Sequence, residues 1–158
     1  SQKVNWVDVY SRTEQSVKRL FPDENFFAYR SSSFKPDEII LKASLKVVKG
    51  SQEKILDEII TYKKNRYLKQ PRDYANAGSV FKRPYKDGES LFVWKLLESC
   101  DLRGYRINDA AISEKHPGFI VNLNQAKPSD ISNLIEECQK RVKAKFDVDL
   151  ELEWKVIE

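Results

Sequence analysis

Apolar and polar positions alternate along this chain with two different periods, and their order gives the first expectation of its fold. "KVNWVDVY", beginning at Lys3, is rich in β-branched and aromatic residues and reads as a strand. "EIILKASLKVV", from Glu38 to Val48, alternates in its second half and stops before Gly50. Ile55, Ile59, Tyr62 and Arg66 then recur at helical spacing, with Gly50 or Ser51 at the N-cap. Phe92 with Leu96, and Val93 with Leu97, pair at i, i+4 in a second helix that "LRG" closes at Gly104. "AAISEKHPGFIVN" offers two short strands around a polar loop. Ile131, Leu134, Ile135, Cys138, Val142 and Phe146 mark one face of a third helix, which Pro128 and Ser129 begin. In "VDLELEWKVIE", Val148, Leu150, Leu152, Trp154 and Val156 share one face of a terminal strand, and Asp149, Glu151, Glu153 and Lys155 the other. Helices and strands separated by long connections predict an α+β fold rather than a doubly wound parallel one.

The 158 residues are enough for one real core and a smaller second lobe, and 41% hydrophobic with 33% charged residues is a globular balance. No apolar run approaches the roughly 20 residues of a membrane span. Cys100 and Cys138 each sit in an apolar pattern, which favours reduced buried thiols and a cytoplasmic setting over a disulfide. The net charge of +4 favours anionic partners without naming the anion. No signal peptide opens the chain, and its lack of any methionine suggests a piece cut or processed from something longer.

Candidate chemistry centres on "NAGSVFKRP". Ser79 lies between Gly78 and two apolar residues, with Lys82 and Arg83 behind it. Its hydroxyl has two readings: a turn residue capping the local backbone, or a proton donor whose deprotonation nearby cations ease. A hydrolase is disfavoured, because the nucleophile-elbow glycines are missing and the single histidine, His116, has no acid partner in sequence. "AYRSSSF" sets Arg30 beside Tyr29 and three hydroxyls, suited to a carboxylate or a growing negative charge, or simply to a surface ion pair. Lys69 belongs to the basic run "YKKNRYLKQPR", which meets phosphates or merely solvates a helix end. His116 in "SEKHPG" donates to an anion or caps a bend, and Glu153 stands on the polar side of its strand. One histidine and two scattered thiols build no metal site.

Read in order, "YRSSSF", "KQP", "NAGSVFKRP", "AISEKHPGFIVN" and "FDVDLELEWKVI" resemble the C-terminal half of the UDP-N-acetylenolpyruvoylglucosamine reductase family, over nearly all of residues 26–158. The spacing resembles the shorter of that family's two types. The resemblance implies an FAD enzyme that takes hydride from NADPH and reduces UDP-N-acetylglucosamine enolpyruvate to UDP-N-acetylmuramate for peptidoglycan in the bacterial cytoplasm. It places Ser79 as proton donor, and Arg30 and Glu153 as the groups that steady an enolate-like intermediate. Tyr29, Lys69, Lys82, Arg83 and His116 fall where the family approaches its substrate.

The same resemblance implies a layout in which residues 1–48 complete the sheet of the FAD-binding domain. Residues 49–146 then form the UDP-sugar domain, and 147–158 a return strand carrying Glu153. The flavin-binding part lies ahead of residue 1 in the family, so this chain by itself is expected to hold little or no flavin and not to turn over. Asn108 and Asp109 replace a glycine pair common in the family, and both residue types tolerate left-handed backbone. Two rivals stand beside this reading. One is a small basic α/β module that binds RNA or protein through "KKNRYLKQPR" with Tyr62, Tyr67 and Tyr74 as stacking groups, which the interleaving of 24 acidic with 28 basic residues disfavours. The other is a non-catalytic UDP-sugar binder.

Overall fold

The computed structural model describes residues 3–156. The chain divides into two compact units, Ser1–Ile55 and Leu56–Glu158.

The first unit is all strand until its last residues: β1 (Val4–Ser11), β2 (Ser16–Leu20), β3 (Phe27–Ala28), β4 (Ser31–Ser32) and β5 (Glu38–Leu45). β1 is the centre of an antiparallel sheet of order β2-β1-β5. Its alternation sends Val7, Val9 and Ser11 to the buried side and leaves Trp6, Asp8 and Tyr10 half-buried on the other. The buried Ser11 hydroxyl donates to Asp37 Oδ2 at 2.8 Å, which answers its own burial and holds the Asp37 carboxyl below the usual carboxylate range. On the other face Arg19 donates twice to Asp8, at 2.7 and 2.9 Å, and lies 3.7 Å over the Trp6 ring. The pairs Phe27↔Ser32 and Ala28↔Ser31 leave Tyr29 and Arg30 as a two-residue hairpin turn. Edge-to-face contacts of Phe26 with Phe27 and Phe34, at 5.0 and 4.9 Å, hold the base of that hairpin.

Helix α1 (Gln52–Lys69) starts as expected, with the Ser51 carbonyl accepting the Ile55 N–H at 3.1 Å. None of its residues is buried.

The second unit continues with β6 (Tyr85–Lys86), β7 (Glu89–Ser90), α2 (Val93–Ser99), β8 (Arg106–Ile107), β9 (Ala110–Ile112), β10 (Ile120–Asn122) and α3 (Pro128–Phe146). β10-β9-β8 is an antiparallel sheet. Leu134, Ile135, Cys138 and Val142 of α3 join Val93, Leu96 and Leu97 of α2 and Ile112 and Ile120 of the sheet in one core. The predicted face of α3 is thus the observed one. Asp130 secures its N-terminus: one carboxylate oxygen accepts the Lys127 N–H at 2.9 Å and the other the Asn108 side-chain amide at 2.9 Å. At the far end Asp147 adopts a left-handed φ of 51°, and Lys86 Nζ donates to the Phe146 carbonyl at 2.7 Å.

Two local expectations change. The second helix ends at Ser99, not at Gly104, because Asp101 takes a left-handed φ of 56° that turns the chain and buries Leu102. Gly104 serves the next turn, at φ 72°, where the Glu114 carboxylate fills the place a Cβ would need. The C-terminal stretch buries Val148 and Leu150 as its alternation requires, but Leu152, Glu153 and Trp154 are all half-buried, Val156 is exposed and the ladder shrinks to a single bridge, Phe81↔Leu152. Its partner segment is short: the Pro at position 84 has no N–H with which to extend pairing. Residues 157 and 158 of this stretch lie outside the described residues.

Candidate functional site

Ser79 sits at the end of a loop organised by one amide. Asn76 donates through Nδ2 to the carbonyls of Pro71 and Tyr74, at 2.9 and 3.0 Å, and accepts the Gly78 N–H on Oδ1 at 3.1 Å. Gly78 follows at φ +85° with open space where a side chain would begin, so this position needs glycine and leaves its backbone approachable. The next residues are held from both sides. Ser79 bridges Phe119, the Val80 N–H donates to the Gly118 carbonyl at 3.0 Å, and the Glu153 N–H donates to the Val80 carbonyl at 2.8 Å. Val80 and Phe81 are buried in the core, while Ser79 is exposed. The apolar neighbours that made this serine conspicuous are its anchor.

Ser79 lines a cavity of about 530 Å³ together with Arg66, Gln70, Arg72, Asn76 and Phe119. Arg66 donates to Gln70 Oε1 at 3.0 Å. Among the described residues two arginines and no carboxylate line this space, which favours an anion beside Ser79. Glu153, expected on the solvated side of its strand, is half-buried with Oε2 out of contact with solvent.

Lys69 and His116, far apart in sequence, line one cavity of about 440 Å³ with Leu68, Trp94, Arg103 and Lys115. The loop that carries His116 is built on Ser113, whose hydroxyl accepts the N–H groups of Lys115 and His116 at 3.2 and 3.3 Å. The imidazole accepts the Gly118 N–H on Nδ1 at 3.1 Å and meets the Phe119 ring edge-on at 5.0 Å. Burial pushes its pKa below the ordinary histidine value, and the Arg103 charge adds to that effect.

Lys82 and Arg83 line a third cavity, of about 440 Å³, together with Lys86, Asp147, Asp149 and Glu151. Lys82 is ion-paired with Glu151, and the Arg83 guanidinium lies 4.3 Å from the Phe92 ring centroid. Tyr29 and Arg30 belong to the first unit. Both are exposed in the hairpin turn, Arg30 at a left-handed φ of 59° and 5.7 Å from the Tyr29 ring centroid. A non-glycine residue held there is uncommon.

Sequence reasoning missed Arg72, Trp94, Arg103 and Lys115 as cavity residues, and Arg66 was read only as part of a helix face and a basic run. The basic run points to Arg66 and Arg72. Nothing in the pattern around Trp94 or Arg103 separates them from ordinary helix and turn residues.

The α+β unit that carries this serine and its arginine-lined cavity falls within a known domain family: residues 70–157 match the family model described as UDP-N-acetylenolpyruvoylglucosamine reductase, C-terminal domain. The UDP-N-acetylenolpyruvoylglucosamine reductase of Fervidobacterium nodosum is 41% identical over 156 residues, which cover 96% of this chain and 50% of that protein. The enzyme of the same name from Thermotoga sp. is 46% identical over 135 residues, 85% of this chain and 44% of the other. The crystal structure of the Thermus caldophilus reductase superposes with a TM-score of 0.76 at 32% identity, covering 99% of this chain and 53% of that one. This chain belongs to the UDP-N-acetylenolpyruvoylglucosamine reductase family, and it spans about half the length of the curated relatives it matches.

Proposed function

We propose that this chain supplies the substrate side and the proton donor of an enzyme that reduces UDP-N-acetylglucosamine enolpyruvate to UDP-N-acetylmuramate, a cytoplasmic step in bacterial peptidoglycan synthesis. The observation that carries this reading is Ser79 itself, exposed on a hydrogen-bonded loop and lining a cavity with two arginines. Membership of the reductase family favours this over an RNA- or protein-binding module.

Reduction of the enolpyruvyl double bond adds a hydride to one carbon and a proton to its neighbour. The hydride is the chemistry of an FAD reduced by NADPH. The residues of this chain do not fit the flavin's diphosphate: its five glycines stand singly at 50, 78, 88, 104 and 118, so no clustered glycines form a phosphate cradle. That part of the cofactor falls to a separate flavin domain, for which residues 1–48 provide completing strands, with 49–146 and 147–158 as the substrate domain and its closing segment.

Ser79 Oγ delivers the proton and regains one from solvent, to which it is open. Arg30 and Glu153 steady the negative charge that grows on the carboxylate-bearing carbon before that transfer. Lys69 and His116 take the charged groups of the UDP-sugar, and Tyr29, Lys82 and Arg83 assist. Ser79→Ala in the intact enzyme is expected to lower product formation by about 10²- to 10⁴-fold, while stopped-flow traces show flavin reduction by NADPH unchanged. Normal turnover in that variant would remove Ser79 from the role. Loss of flavin reduction along with turnover would assign the damage to another step.

A further inference from the structure

The Gly118 peptide makes two bonds that together tie His116 to the Ser79 segment. Its N–H donates to His116 Nδ1 at 3.1 Å, and its carbonyl accepts the Val80 N–H at 3.0 Å. A Cβ at this position would stand 3.0 Å from His116 Cε1 and 3.1 Å from Nδ1, closer than a side chain tolerates without pushing the ring away. The backbone at Gly118 is not left-handed, so what a side chain here would disturb is the imidazole, which would have to shift by a few tenths of an ångström.

We propose that Gly118 is a positioning residue that locks His116 in its neutral Nε2–H tautomer, presenting an uncharged donor to the cavity of Lys69, Arg103 and Lys115. A ring nitrogen that accepts a peptide N–H carries no proton of its own, so the imidazole proton resides on Nε2. Protonation of Nδ1 would set one N–H against another and break the bond that orients the ring. The charged groups around the ring point the same way. Lys69 comes from α1, Arg103 from the turn after α2 and Lys115 from the histidine's own loop. The acidic group bound to this cluster, Glu98, is taken by Arg103 through bonds of 3.0 and 2.6 Å. A fourth cation here would repel three others, whereas a neutral N–H adds a directed bond to a phosphate oxygen without that repulsion. The choice of phosphate as ligand rests on the function proposed above. The tautomer does not.

His116 is the single histidine of the chain, so a long-range ¹H–¹⁵N spectrum of the ¹⁵N-labelled full chain reads one imidazole. Near neutral pH it should show Nδ1 as a pyridine-type and Nε2 as a pyrrole-type nitrogen, and Gly118→Ala should move both toward the averaged shifts of a free ring. Averaged shifts or an Nδ1–H pattern in the unaltered chain would overturn the proposal, whatever becomes of the variant. UDP titrations supply the second arm. The amide nitrogen of glutamine reaches the place of Nε2 and that of asparagine the place of Nδ1, so His116→Asn should weaken UDP binding about tenfold more than His116→Gln, roughly one lost hydrogen bond. Equal losses, or the opposite order, count against the lock. A fixed Nε2–H tautomer in a chain that binds no UDP would defeat the reading of this cavity as a UDP site and leave the lock standing.

Discussion

Helices α1 and α3 have almost the same length, 18 and 19 residues, and both repeat apolar residues at helical spacing, yet α3 buries five residues and α1 none. Leu134, Cys138 and Val142 of α3 are wholly withdrawn from solvent, whereas Ile55, Leu56, Ile59 and Ile60 of α1 remain 42–62% exposed. Their ends differ in the same sense. α3 starts on a buried carboxylate with two donors and stops on a left-handed residue beside a lysine cap. Periodicity therefore reports that a segment will be helical, while what it packs against is decided by partners the periodicity does not contain.

The strongest way to break this comparison is Leu134→Ala. Loss of a fully buried leucine from the α3 core should cost about 2–5 kcal/mol, read as a lower urea midpoint; a value near zero would mean that the second unit is not held by this core. A smaller effect is expected at Asp130. Its Asn108 hydrogen bond, seconded by the Lys127 N–H, holds the carboxyl below its ordinary 3.8. A carboxyl depressed in the folded state contributes stability above the unfolded value, and that contribution is lost as pH falls through 3.8 toward the folded one. The thermal midpoint of the native chain should thus fall more steeply on acidification than that of Asp130→Asn, and parallel curves would remove Asp130 from this role. Least of all should be felt at Ile59→Ala on α1, within about 0.5 kcal/mol in the same urea titration. A cost like that at Leu134 would show that α1 is covered in solution.

Most of the helices and long strands were legible because each carries its own period. The face of α3 is legible residue by residue, β1 by its β-branched and aromatic content, and β5 by the alternation in its second half. The Asp87-Gly88 hairpin between β6 and β7, with φ of 53° and 82°, had a sequence signal in its Asp-Gly pair that went unread. The end of α2 was misplaced because the left-handed residue is Asp101, and an aspartate there is distinguished from any other only by the buried Leu102 that follows. In the C-terminal stretch the alternation holds as burial from Val148 to Leu152 and lapses at half-buried Glu153 and exposed Val156, and it makes no ladder, since ladder length depends on the partner segment near Pro84.

The candidate site was legible to the extent that it is local. Asn76, Gly78 and Ser79 lie within one loop, and their bonds follow from short-range chemistry. The cavity shared by Lys69 and His116 joins positions 47 residues apart with Trp94 and Arg103 between them. Such a gathering sets the end of α1 beside Trp94 of α2 and the Ser113 loop, an arrangement for which no spacing rule exists. The turn at Asn108 shows the middle case. Its left-handed φ of 50° was foreseeable from the residue type, but its bond to Asp130 at the start of α3 was not.

The hairpin turn at Arg30 sets thermostability engineering against function. Glycine is the residue that its backbone conformation would welcome, and such an exchange at a left-handed site commonly firms up a fold. If the guanidinium serves as proposed, a screen for heat resistance alone would select the exchange that silences the enzyme.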